Sequence, residues 1–146
     1  MSFELVRPYI RGLIKELGYK EHHDAFDSQN FPSTKKDKLF QMESTEDVGT
    51  PANQIVHEFD YRMTLRFCKR GFRSPTEAVD ATDKMKDEIW TKLLAIGSRI
   101  PTASPYAGVI KDIIPDGSRR LPASDSNDND IILEIDIEIK LICNFS

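Results

Sequence analysis

Two stretches of the chain alternate apolar and polar residues with a period of two, and two others repeat apolar residues every three or four positions. In the first alternating stretch Ile55, His57, Phe59, Tyr61, Met63, Leu65 and Phe67 take turns with Val56, Glu58, Asp60, Arg62, Thr64, Arg66 and Cys68. In the second, Ile131, Leu133, Ile135, Ile137, Ile139, Leu141, Cys143 and Phe145 share one side, with Glu134, Asp136, Glu138 and Lys140 on the other. Alternation of this length predicts strands with one face on a core and one face polar. The first helical stretch carries Phe3, Val6, Ile10, Leu13, Ile14 and Leu17, and Gly18 supplies a left-handed stop. Pro8 moves the expected start of its regular part to near Arg7, because the proline ring clashes with the carbonyl four residues earlier. The second helix is announced by Ser74-Pro75-Thr76-Glu77, a capping sequence with proline at the first helical position. Its stripe is Ala78, Ala81, Met85, Ile89, Leu93 and Ile96, and Gly97 ends it.

The intervening segments are weaker. A short strand is expected over Lys38–Glu43 and another over Gly108–Ile114. The polar stretch 20–38 has Phe26 and the Phe31-Pro32 pair as its anchors. The runs Ser44–Asn53 and Pro115–Asp130, polar and punctuated by glycine and proline, are expected to be loops. Long loops on a rigid scaffold usually carry contacts. Arg119 and Arg120 are then the positive anchors, and Asp125, Asp128 and Asp130 the acidic ones. The predicted fold is α+β: a mixed, mainly antiparallel sheet with two amphipathic helices packed on one face, in a single domain over residues 1–146.

Composition narrows the function classes. The chain has 146 residues, 30% of them charged, and a formal net charge of -4. That balance argues against a protein that coats nucleic acid. The sequence predicts neither a membrane span nor a signal peptide. Two cysteines, Cys68 and Cys143, are too few for a structural zinc site and are expected as small buried hydrophobes.

Candidate chemistry is sparse. His22-His23-Asp24 lacks a third ligand or a helical metal-binding spacing. Asp125–Asp130 approaches a calcium loop but has aspartate where the sharp turn requires glycine. There is no nucleophile elbow and no phosphate-cradling glycine loop. Lys69-Arg70-Gly71-Phe72-Arg73 is a charged turn between a strand and a capped helix. The expectation is a protein without catalytic residues, metal or cofactor. The informative feature is the polar side of the two long strands. Arg62 and Arg66 on one can pair with Glu134, Asp136 and Glu138 on the other, and such a face can also be buried against another subunit.

The order of these elements resembles that of the tail terminator proteins of long-tailed bacteriophages. An amphipathic helix (Val6–Leu17) precedes a polar stretch with Phe31-Pro32. A long alternating strand (Ile55–Cys68) runs into a capped helix (Ser74–Ile96), and irregular loops lead to a final acidic strand (Ile131–Phe145). The resemblance spans nearly the whole chain and is one of order and patterning, without a signature motif. It implies a virion protein, assembled in the host cytoplasm, that caps the tail tube as a homohexameric ring. Its partners are then the tail tube protein and a head-closure or neck protein. DNA passes through the lumen without specific binding, and Glu134, Asp136 and Glu138 are candidates for lining it. Other neck components, and small non-enzymatic α+β binding domains, share this build.

Overall fold

A computed structural model describes residues 3–22, 38–51, 56–69, 74–94, 109–121 and 131–144. The two alternating stretches form its central strands. β3 (Val56–Lys69) and β5 (Ile131–Asn144) pair antiparallel along their full length, from Val56 opposite Asn144 to Lys69 opposite Ile131. The register places Met63 opposite Ile137 and Leu65 opposite Ile135, so the apolar sides of both strands fall on one face. Leu133, Ile135, Ile137, Ile139, Leu141 and Cys143 are all buried there.

Around this pair the sheet is completed by β1 (Lys20–Glu21), β2 (Leu39–Pro51) and β4 (Ile110–Leu121), in the order β1-β2-β3-β5-β4. Only the β1–β2 contact is parallel. The fold is thus the expected α+β arrangement of a mixed, mostly antiparallel sheet with two helices. α1 (Phe3–Glu16) buries Val6, Tyr9, Ile10, Leu13 and Ile14, and α2 (Pro75–Leu94) buries Ala78, Thr82, Met85, Ile89 and Leu93. These residues and the apolar sheet face make one continuous core. Gly18 ends α1 at φ 93°, a conformation that glycine adopts without steric cost. Ser74 caps α2, its Oγ accepting from the Glu77 amide at 3.2 Å. Thr82 enters the stripe because its hydroxyl donates to the Ala78 carbonyl at 2.8 Å, satisfying itself within the helix.

Several expectations are corrected. Residues 44–51 of the expected loop Ser44–Asn53 belong to β2, which follows β3 to Pro51 opposite His57. A bulge between Ser44 and Glu46 absorbs one extra residue. Beyond it Gly49 lies under the Phe59 ring, where a Cβ would stand 2.7 Å from Phe59 Cε1. Residues 115–121 of the expected loop Pro115–Asp130 likewise belong to β4, with a bulge between Pro115 and Gly117. β4 is an edge strand, so Pro115 need not donate on its open side. α1 begins at Phe3 and runs through Pro8, which sits on the exposed side beside Glu4, where a locally hydrated backbone costs least. β1 was hidden in the polar stretch; it is held by bonds from Lys20 N to Lys38 O and from His22 N to Phe40 O, each 2.9 Å.

Cys68 and Cys143 are free and buried, as expected, but lie on opposite faces near opposite ends of the sheet. Phe26, Phe31-Pro32, Ile55, the basic run 70–73, Ile96, Gly97 and Phe145 lie outside the described residues. No helix among the described residues is long and apolar enough to cross a membrane.

Leu65→Ala, at a fully buried position on the central strand, is expected to cost about 2–5 kcal/mol. Ser74→Ala, which removes the α2 cap, is expected to cost about 1 kcal/mol. Denaturant unfolding of both variants against the parent chain measures the difference.

Candidate functional site

The sheet face opposite the helices gathers the charged residues of four strands. Because side chains alternate, the positions opposite one another in the register form rows across the sheet. One row is Gln41, Arg66, Glu134 and Arg119; the next holds Glu43, Thr64, Asp136 and Gly117; a third holds Glu46, Arg62, Glu138 and Ile114. Val48, Asp60, Lys140 and Asp112 follow.

Glu134 is the centre of this face. It is only 5% exposed, and it accepts from Arg66 Nε at 2.8 Å on one side while Arg119 closes on its other oxygen. Arg66 extends the contact to Glu43 Oε2 at 2.9 Å. Arg119 also reaches Asp136 Oδ2 at 3.3 Å, and the other Asp136 oxygen accepts from the Thr64 hydroxyl at 2.7 Å. A buried carboxylate is tolerated only when its lone pairs are taken up in this way. Arg62 turns to Glu46 on β2 rather than to Glu138, its register partner on β5. Farther along, Lys140 bonds Asp60 at 2.5 Å and approaches Glu138 at 3.7 Å. Hydrogen bonding to Lys140 holds the Asp60 carboxyl below the usual carboxylate range, against a smaller opposing effect of burial. The same bond raises Lys140, and the bond to Glu46 raises Arg62.

With Glu58, in the row beyond these, the face carries eight carboxylates (Glu43, Glu46, Glu58, Asp60, Asp112, Glu134, Asp136 and Glu138) and four cations (Arg62, Arg66, Arg119 and Lys140). Lys111, the extra residue of a bulge, reaches in to Glu58 at 3.4 Å. Each of these cations is engaged by a carboxylate of its own chain, and acid remains in excess. The surface therefore presents negative potential with its positive groups already occupied.

Of the residues singled out in the sequence, Arg62, Arg66, Arg119, Glu134, Asp136 and Glu138 come together on this face. Arg120 does not join them: it stands opposite Leu133, on the helix-bearing side of β4. Adjacent strand residues point to opposite faces, and the bulge between Pro115 and Gly117 decides that Arg119 rather than Arg120 takes the charged one. Asp125, Asp128 and Asp130, together with His23 and Asp24, lie outside the described residues. Sequence patterning missed Gln41, Glu43 and Glu46, because β2 has too few apolar residues to signal its alternation. Among the described residues no group of His, Cys, Asp and Glu is arranged to hold a metal ion. An open depression at one end of the face is bordered by Glu58, Lys111, Asp112 and Lys140; Lys111 pairs with Glu58, Lys140 with Asp60, and Asp112 accepts from the Ile113 amide. No protein-family model matches the chain, and no curated protein matches it.

Glu134→Gln removes the charge that two arginines share and is expected to cost about 1–3 kcal/mol, below a fully buried pair because Arg119 is largely exposed. Glu138→Gln, with one distant cation, is expected to cost about 0–1 kcal/mol. Thermal or urea unfolding separates the two.

The Asp60–Lys140 pair gives a pH dependence of known sign. The lowered Asp60 contributes stability that is present above the ordinary aspartate value and is lost as pH falls through its folded value. The raised Lys140 contributes stability that is present below the ordinary lysine value and is lost as pH rises through its folded value. Asp60→Asn is therefore expected to flatten the acid limb of the stability profile below about pH 4, read by melting temperature against pH.

Proposed function

We propose that this chain is a structural virion protein that caps the tail tube of a long-tailed bacteriophage as a hexameric ring and forms the joint to the head. The observation that carries the proposal is the two-sided sheet. One face is sealed by both helices, while the other is a net-acidic surface whose cations are internally engaged. A ring at a head–tail joint must let DNA pass without holding it. Six copies, each of net charge -4, repel phosphate over a Debye length of ~8 Å. With the acidic face toward the lumen, Asp136 and Glu138 present charge to the passing duplex. Glu134, nearly buried, acts by fixing Arg66 and Arg119 in place.

Further support comes from the ends of the sheet at which the β2–β3 and β4–β5 connections leave it. The β2–β3 connection follows Pro51, at the end of the sheet where β5 reaches Asn144. The β4–β5 connection follows Leu121, at the end where β2 begins. The segments expected to meet partners thus leave from opposite ends, which suits a ring held between two different neighbours, tail tube protein and neck protein. No enzymatic step is assigned to the chain.

Negative-stain imaging and native mass spectrometry of the purified protein, alone and on assembled tail tubes, test the proposal. The expected result is rings of six of uniform diameter, capping one end of each tube. Duplex DNA titrated at low salt is expected to show no salt-sensitive binding. A chain absent from purified tails, or one that binds duplex tightly, overturns it.

A further inference from the structure

The charged rows do more than balance one another. Read across the sheet, Glu43 on β2, Arg66 on β3, Glu134 on β5 and Arg119 on β4 alternate in sign, each in contact with the next. The series ends in an acid at one edge and a base at the other. Both end groups remain about half exposed, Glu43 at 54% and Arg119 at 56%, whereas Glu134 in the interior of the series is at 6%. Among the described residues, β4 along its length and β2 beyond Phe40 have a strand neighbour on one side only.

We propose that copies of this chain join head to tail, the β4 edge of one against the β2 edge of the next, with Arg119 of the first reaching Glu43 of the second. The proposal rests on the ring reading above and specifies its subunit contact. Three features favour it. The ends of the series are complementary, so joining continues the alternation through the contact instead of interrupting it. The strand directions also fit. β2 is antiparallel to β3, β3 to β5 and β5 to β4, so β4 of one copy meets β2 of the next antiparallel when the acidic faces of both point the same way. Arg119 then stands level with Gln41 and takes the same diagonal step to Glu43 that Arg66 takes within the chain. The charge of the edges agrees too: β2 carries Glu43, Glu46 and Asp47 with no cation, and β4 carries Lys111, Arg119 and Arg120 against Asp112 and Asp116. Such a contact uses different surfaces on the two copies and closes into a ring when the rotation permits.

Side chains, not the backbone, carry the joint. β4 is interrupted by Pro115 and two bulges, β2 by one bulge, and Arg7 already donates to the Met42 carbonyl at 3.3 Å. Edges defended in this way resist indiscriminate strand pairing.

The test is charge reversal with mixing. Arg119→Glu alone sets acid against Glu43, and Glu43→Arg alone sets base against Arg119. Each is expected to weaken ring formation at least about tenfold in native mass spectrometry. An equimolar mixture of the two variants makes every contact complementary again in alternating copies and is expected to restore six-membered rings. Misfolding of either variant is checked by circular dichroism. The variant Gln41→Cys/Arg119→Cys, at the two positions that stand level across the contact, gives a second readout. Three strand spacings of ~4.8 Å put its two thiols about 14 Å apart within one copy, too far for an internal disulfide. Oxidation is expected to yield a covalent ladder ending at six copies. Rings that survive both reversals, or that form without cross-linking, overturn this contact and leave the ring standing. A parent chain that stays monomeric even on tail tubes overturns both.

Discussion

The pairing of β3 with β5 is the interaction on which the rest of the structure depends. Its register decides, for fourteen positions on each strand, which side chains enter the core and which join the charged face. A slip of one residue would send Leu65 and Ile135 to water and Arg66 and Glu134 into the apolar core. The chemistry of both faces forbids that slip: one side of each strand is too apolar to expose, and the other too charged to bury without partners. The helices add to this choice without making it, since α1 and α2 cover the face that the alternation has already selected.

The charged face is stable for a reason distinct from the core. Exposed ion pairs contribute little singly, but Glu134 is shielded and held from both sides, and its neighbours are held in turn. Each arginine spans strands that the backbone already joins, so little extra ordering entropy is lost in forming the contact. Such a face is stiff as well as acidic. In the ring proposed above, that combination suits a wall past which a polyanion slides, because among the described residues the lysines of this face, Lys111 and Lys140, are already paired.

How much of this was legible in the sequence varies by element. β3, β5 and α2 were readable because their side chains repeat with one period and meet one core. The pairing of Arg66 with Glu134 followed from that alternation, whereas Arg62 turned to Glu46 instead, on a strand whose outer half had looked like a loop. β2 and β4 hid for a shared physical reason. An edge strand has one polar face and one open side, so acid, glycine and proline are tolerated there, and composition mimics a turn. Bulges then break the period itself: after Ser44 in β2 and after Pro115 in β4 the parity of inward and outward positions changes. That is why Arg119 and Arg120, neighbours in sequence, could not be assigned to faces beforehand. Pro8 misled in the opposite sense, since a proline on the solvent side of a short helix is less disruptive than one facing the core.

The separation of the two central strands in the chain has a kinetic meaning. Arg66 and Glu134 are 68 positions apart, Asp60 and Lys140 are 80 apart, and β5 is synthesised after every other element described. α1, β2, β3 and α2 must therefore wait, with their apolar faces uncovered, until the strand that completes the sheet emerges. Domains dominated by such distant contacts fold slowly, and their unfinished forms are prone to associate. Residues 1–94 carry 15 basic and 16 acidic side chains, so like-charge repulsion does little to keep those waiting forms apart; the acid excess of the finished surface arrives only with the last third of the chain, together with the strand that covers the core.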